Sequence, residues 1–243
     1  GEKFHPLTPA IKAKLSLKLD YLSSQEEELV DYLACFRAPA SVSLLARLLG
    51  LPMEEVVEIT EEFEQKQLLM EEEQGEELVV WFSQELLRIY AYERLSLAKK
   101  RMLHHQIAQG MEDQLGDSLY HAQLLNEIAY HYKLSKQPIK SLEYELHYLE
   151  ATLQFHHELF PIYSREFGFI EKTDDSNQSA VLDQFDRIRR EIEGLERKHQ
   201  NHKGFQLLVL RFLYLEGRYA IRTGYYQQGM DNIQQVIASA KEL

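Results

Sequence analysis

Apolar residues recur along most of this chain every third or fourth position, the spacing of one face of a helix. Pro6 and Pro9 precede Leu15, Leu17, Leu19 and Leu22, which predicts a loop leading into a short strand or helix within residues 1–22. Ser23 or Ser24, followed by Glu26 and Glu27, is a helix start. A hydroxyl there accepts an unpaired backbone N–H, and acids sit at the positive end of the helix dipole. Leu29, Val30, Leu33 and Ala34 form the apolar face, and Pro39 ends this helix. Ser41 starts the next, which carries Leu44, Leu45, Leu48 and Leu49 and stops at Gly50, a residue suited to a helix C-terminus. Pro52 opens a third helix at the position where proline is tolerated, with Val56, Val57, Ile59, Phe63, Leu68 and Leu69 as its buried side. Two apolar, β-prone ends then flank the polar run from Glu71 to Glu77 around Gly75, the pattern of a hairpin closing at Leu78–Phe82.

Helix, helix, helix, hairpin is the order of a winged helix, a variant of the helix-turn-helix, over residues 1–83. A long connecting helix is predicted for 84–116, lined by Leu86, Leu87, Ile89, Tyr90, Leu95, Leu97, Leu103 and Ile107. Residues 117–243 read as helical pairs. Leu124, Leu125, Ile128, Ala129 and Tyr132 line one helix, and Ile139, Leu142, Leu146, Leu149 and Leu153 its return partner. Pro161 and Gly168 break the next stretch, and Thr173–Ser179 is the most polar loop. Val181, Phe185, Ile188, Ile192 and Leu195 mark another helix, followed by two more over 205–222 and 226–243.

Only 6 Pro and 11 Gly in 243 residues fit long helices better than a turn-rich β fold, so the expected class is all-α with a small β-hairpin wing. The net charge of −12 is uneven: residues 1–116 hold 12 Lys/Arg and 21 Asp/Glu, and 117–243 hold 15 and 18. An acidic surface repels phosphate, so direct nucleic-acid binding is not expected. The predicted third helix sharpens this, since Glu54, Glu55, Glu58, Glu61, Glu62 and Glu64 precede its first cation, Lys66. The lone Cys35, inside an apolar run, points to a buried thiol in a reducing, cytoplasmic setting. No run of about 20 apolar residues and no signal peptide is present, so no membrane contact is expected. The sequence opens on Gly1 and runs to Leu243 inside an uncapped helical pattern, which suggests a fragment of something longer.

Little supports catalysis. Carboxylate pairs lie in charge runs such as Glu26–Glu28 and Glu71–Glu73, which solvated faces explain, and no Ser, Thr or Cys sits in a nucleophile motif. His199 and His202 lie three apart and His156 and His157 are adjacent, yet no H-E-x-x-H or second ligand cluster accompanies them, so neither metal nor cofactor is expected in this chain.

Gly217, Gly224, Tyr225, Tyr226, Gly229, Ile233 and Val236, with Leu213 before them, resemble the tetratricopeptide pattern. In that repeat small residues let two helices approach, a glycine makes the turn and aromatics plug the gap. This hairpin departs at Glu216, where Leu is usual, and at Ala220, where Tyr is usual. Ala129, Tyr132, Ser141, Tyr144 and Tyr148 give a second match, whose turn Ser135-Lys136-Gln137-Pro138 lacks the glycine. Residues 155–204 depart from the period of about 34 and form an irregular pair. A plain helical bundle is the alternative.

A wider resemblance covers most of the chain. Ser41-Val42-Ser43-Leu44-Leu45-Ala46, Leu49-Gly50-Leu51, Leu68-Leu69, Trp81-Phe82-Ser83-Gln84-Glu85-Leu86-Leu87-Arg88 and Arg101-Met102-Leu103-His104-His105-Gln106-Ile107-Ala108 look like the C-terminal part of a STAND-type ATPase, of the kind related to LuxR- and SARP-like transcriptional regulators. The resemblance implies a winged helix after a nucleotide-binding module, with tetratricopeptide-like repeats behind it. The family often has a histidine that can touch the nucleotide just after the Phe of this strand; here the position holds Gln84. No G-x-x-x-x-G-K-[ST] loop is present, so the resemblance places ATPase and DNA-binding domains of the parent outside this chain.

In such repeats the first helix of each pair lines a concave surface. By spacing these positions are Asn126, Tyr130 and Lys133, then Tyr214, Arg218, Ile221 and Arg222. Three cations and two aromatics on one face suit a protein or acidic peptide partner, or a small effector. The expected function is the regulatory, partner-binding segment of a cytoplasmic signal-responsive transcriptional regulator. A stand-alone tetratricopeptide adaptor that scaffolds protein complexes is the alternative, and an enzyme would need a metal or cofactor.

Overall fold

The computed structural model describes residues 8–75, 77–115, 122–153 and 175–241. Among them are eleven helices and one three-stranded antiparallel sheet. The chain divides into two compact units, Gly1–Gln114 and Leu115–Leu243.

The first unit runs α1 (Pro9–Leu19), α2 (Ser24–Cys35), β1 (Ala40–Ser41), α3 (Val42–Leu49), α4 (Met53–Gln65), β2 (Leu69–Gln74), β3 (Glu77–Phe82), α5 (Glu85–Arg94) and α6 (Leu97–Leu115). Ser23 starts α2 with a reciprocal box: its Oγ accepts the Glu26 N–H at 3.3 Å, and the Glu26 carboxylate accepts the Ser23 N–H at 2.7 Å. Ser41 caps α3, and Gly50 closes it in the left-handed conformation (φ 65°). The hairpin lies where the two apolar ends around Gly75 place it, in the register Leu69↔Phe82 to Gln74↔Glu77. Sheet order is β1-β3-β2, since Ala40 and Ser41 pair with Val80 and Val79. That two-residue strand is too short to show a period in sequence.

Leu29, Leu33, Val42, Leu45, Val56, Phe63, Val80 and Leu87 are buried, so helices and sheet share one core. Helix α6 closes against α3: a Cβ on Gly110 would sit 2.9 Å from Leu44 Cδ1.

The single connecting helix expected over 84–116 is two helices. Leu95 is extended (φ −67°, ψ 133°), and Ser96 Oγ accepts the Lys99 N–H at 3.2 Å, starting a new helix. Both helices keep their apolar face inward through Leu87, Ala91, Leu103 and Ile107, so periodicity carried across the break. Both fall within the first compact unit up to Gln114.

The second unit holds α7 (Ala122–Leu134), α8 (Pro138–Leu153), α9 (Asp175–His199), α10 (Lys203–Arg222) and α11 (Tyr226–Ala240). The polar stretch expected as a loop over 173–179 is already helix from Asp175 on; acids and hydroxyls also favour a helix N-terminus, so composition alone did not separate the two. The breaks expected at Pro161 and Gly168 lie outside the described residues.

The pairs α7–α8 and α10–α11 are built alike, residue for residue at a constant offset. Gln137 N donates to Tyr132 O (3.0 Å) as Tyr225 N does to Ala220 O (2.8 Å). Lys136 N donates to Lys133 O (3.2 Å) as Gly224 N does to Ile221 O (3.2 Å). Lys136 and Gly224 share the left-handed conformation, at φ 63° and 93°. The helices cross on small residues in both. Ser141 Oγ donates to Ala129 O at 3.1 Å. At the corresponding place a Cβ on Gly229 would lie 2.6 Å from Gly217 O. Between the hairpins, Leu142, Leu146, Leu149 and Leu153 of α8 pack with Phe185, Ile188 and Ile192 of α9 and with Phe205, Phe212 and Leu215 of α10.

Candidate functional site

The seven positions singled out by spacing fall on two helices, Asn126, Tyr130 and Lys133 on α7 and the other four on α10. Asn126 and Tyr214 occupy equivalent places in the two hairpins, as do Tyr130 and Arg218. The Arg218 guanidinium lies 5.5 Å from the centre of the Tyr214 ring, a cation–π distance, and Tyr214 is exposed. Tyr130 is half-buried and meets the His131 ring edge-on at 5.2 Å.

The other three have work inside the fold. Lys133 Nζ pairs with Glu145 of α8 at 3.2 Å and with Glu191 of α9 at 2.7 Å. Glu145 is buried, and its second oxygen lies 3.9 Å from Arg187 of α9. Burial, then the Glu191 charge, raises the Glu145 pKa, and Lys133 and Arg187 only partly oppose this. Burial would lower Lys133, but Glu191 and Glu145 more than compensate and hold its ammonium above the ordinary range. Arg222 Nη1 donates to Leu153 O at 2.6 Å, satisfying a carbonyl at the end of α8. Ile221 turns toward α11, where its Cγ1 would lie 2.5 Å from a Cβ on Gly229. The face expected to offer three cations therefore commits at least two of them, Lys133 and Arg222, to intramolecular bonds.

Spacing did not find a second polar cluster in this unit. Nη1 and Nη2 of Arg211 (α10) lie 3.1 Å from Nε2 and Nδ1 of His147 (α8), respectively. The lone pairs of the two ring nitrogens diverge, so one guanidinium meeting both is stacked on the imidazole face rather than bonded in its plane. Arg211 also pairs with Glu150. Burial, then the Arg211 charge, lowers the His147 pKa. Beside it Tyr144 stacks on Tyr132 with centroids 5.8 Å apart, and Lys140 Nζ lies 5.8 and 6.0 Å from the two rings. Only Tyr144 of this cluster enters the repeat pattern; Arg211 and His147 are 64 residues apart and meet only where α10 packs on α8.

In the first unit the acids of α4 (Glu54, Glu55, Glu58, Glu61, Glu62 and Glu64) are all exposed. Burial, then the charges of Glu64 and Glu61, raises the Glu71 pKa on β2, so helix and strand present one negative field. Gln84 is exposed at the start of α5. His104, within the stretch 101–108 that carries the wider resemblance, is fully buried on α6, with Tyr92 Oη 3.0 Å from its Nε2. Burial, then the Lys100 charge, pushes its pKa down to about 4. Cys35 is buried, and burial, then the Asp31 charge, pushes its thiol up to about 12.

His202 starts α10, its Nδ1 accepting the Phe205 N–H at 3.2 Å, and its ring lies 6.5 Å from that of His199. His156 and His157 lie outside the described residues. Among the described residues no three His, Cys, Asp or Glu side chains gather as a metal site, and no helix is long and apolar enough to cross a membrane. Neither protein-family models nor curated proteins give a match to this chain.

Proposed function

We infer that the chain is a non-catalytic, partner-binding segment of a cytoplasmic, signal-responsive transcriptional regulator of the STAND type. In this reading the first unit is a winged-helix module, with α2, α3 and α4 as its three helices and β2–β3 as its wing. Sheet order β1-β3-β2 supports that assignment. The second unit carries two tetratricopeptide-like hairpins, and its partner is a protein, an acidic peptide or a small effector. Any nucleotide hydrolysis and any DNA contact belong to other domains of the parent.

The observation that carries the reading is the equivalence of the hairpins. Repeats built alike present the same positions to one ligand surface. Tyr130 with Asn126 and Arg218 with Tyr214 occupy those positions, with the Arg218 guanidinium set on the exposed Tyr214 ring. The acids of α4 argue that the winged helix touches its own protein rather than phosphate, because six carboxylates in a groove would be repelled.

The test has two arms. A fluorescein-labelled DNA duplex at physiological salt is expected to give no anisotropy change with this chain. The full-length gene product is expected to hold a nucleotide-binding module upstream of Gly1, and Arg218→Ala in it to weaken the inducer's effect on nucleotide hydrolysis. A tight duplex complex, or a gene product without that module, overturns the reading; the second outcome favours a stand-alone adaptor.

A further inference from the structure

Strand β2 lies at the edge of its sheet, and among the described residues no strand lies beyond it. The ladder fixes which of its backbone groups are taken. Ser83 N donates to Leu68 O at 2.9 Å, one place before the Leu69↔Phe82 pair. Bonded and non-bonded pairs alternate along an antiparallel ladder. Met70, Glu72 and Gln74 therefore bond to β3, while Glu71 and Glu73 turn their N–H and C=O groups outward. An edge of this kind is a template for another strand.

Charge selects what can use that edge. Glu72 and Glu73 are exposed, and Glu71 lies in the field of Glu61 and Glu64 of α4. From Glu54 to Gln74 the only cation is Lys66, which pairs with Glu26 and Glu62. A second copy of this chain is disfavoured, because joining two β2 edges sets glutamate beside glutamate. We propose that β2 binds an extended, basic segment of a partner protein by strand addition. Backbone bonds to Glu71 and Glu73 set its register, and the carboxylates of β2 and α4 choose its charge. Lysines or arginines at alternate positions of that segment run along Glu71 and Glu73, in the field of the α4 acids. Its other side chains run along the face of Glu72 and Met70, and Met70 is 48% exposed. The proposal uses neither the concave face nor any other domain of the parent, so its failure leaves the proposed function untouched.

The probe is a fluorescein-labelled heptapeptide that alternates lysine and valine, with lysine at both ends. Titrated with the whole chain at low salt, it is expected to bind saturably with a Kd on the order of 10⁻⁵ to 10⁻⁴ M, and several-fold more weakly at physiological salt. N-methylating its backbone amides keeps the charge and removes the donors, and is expected to weaken binding about tenfold or more. Glu73→Pro is expected to weaken it as much, since proline removes an outward N–H and no ladder bond, so the hairpin stands. Circular dichroism checks that this variant folds, and the N-methylated peptide needs no variant. Absence of binding at millimolar peptide overturns the proposal. Equal binding of the N-methylated peptide also overturns it, because charge alone then holds the probe. So does a dimer in sedimentation equilibrium that Glu73→Pro dissolves, because the occupant is then a second copy.

Discussion

Gly229→Ala tests the close approach on which the second hairpin depends. In the interior of an exposed helix this change stabilises by about 1 kcal/mol, since alanine loses less backbone entropy. Here the added Cβ would lie 2.5 Å from Ile221 Cγ1, 2.6 Å from Gly217 O and 3.0 Å from Ile221 N. Ordinary contact needs about 3.5 Å, and two of the three neighbours are backbone atoms that no rotamer change can move. Helix α11 must therefore back away from α10 by roughly 1 Å, which forfeits a quarter to a half of the dispersion energy along the seam. Overpacking of this kind costs about 1–3 kcal/mol, and three contacts at 3.0 Å or less, two of them to backbone, put this site in the upper half of that range; with the propensity gain of about 1 kcal/mol subtracted, a net loss of about 1–2 kcal/mol remains. Gly194→Ala is the control: it lies within α9 with nothing within 4 Å of its Cβ. It is expected to stabilise by about 1 kcal/mol, so the two substitutions differ in sign. Urea titration followed by circular dichroism gives the totals. Hydrogen exchange of the peptides spanning 203–241 gives the location, which matters because two compact units need not unfold together. A Gly229→Ala protein as stable as the parent, or one whose lost protection lies outside α10 and α11, would refute the reasoning.

Three further outcomes follow from named groups. The folded-state pKa of His104, about 4, lies below its unfolded value of about 6.5, so the unfolded state takes up the proton more readily. Its contribution is intact above the unfolded pKa and is lost as pH falls toward 4, by about 3 kcal/mol over that span; an NMR titration that put its midpoint near 6.5 would contradict this. Cys35, with its thiol pushed up to about 12, should react with a disulfide reagent only after denaturation, and rapid labelling of native protein would count against its burial. Ser23→Ala removes the hydroxyl half of the α2 capping box and should cost about 1 kcal/mol in a urea titration of the chain, against no change if the cap is idle.

Local chemistry made much of the fold legible. Caps at Ser23, Ser41 and Gly50, the turn at Gly75 and the small residues of the crossing helices are each decided within a few residues of sequence. The features that escaped are those where local patterns agree with two structures. An apolar face that runs through Leu87, Ala91, Leu103 and Ile107 cannot report that the backbone breaks at Leu95. Strand β1 exists because Val79 and Val80, far along the chain, give its two residues a ladder. The left-handed turn at Lys136 shows the converse: the hydrogen bonds of the Gly224 turn form there without a glycine, so the residue types at 135–138 conceal a turn with the same backbone.

The helices that carry the candidate residues were legible, and the bonds those residues make were not. Spacing put Lys133 and Arg222 on the first helix of each pair, and that is where they lie. Whether a cation on such a face is available depends on what the next helix brings, and the partners of Lys133 are supplied by α8 and by α9, with Glu191 58 residues away. The desolvation cost of burying Glu145 fixes the role of Lys133, because removing one member of a buried ionic group leaves the others uncompensated. Arg222 is held for a related reason, since it answers a carbonyl at the end of α8. Cations that satisfy buried carboxylates or helix ends belong to the fold, and spacing alone does not show which those are. Arg218, the third cation of the set, lies with its guanidinium 5.5 Å from the centre of the exposed Tyr214 ring, a contact within its own helix that the i, i+4 spacing does make legible.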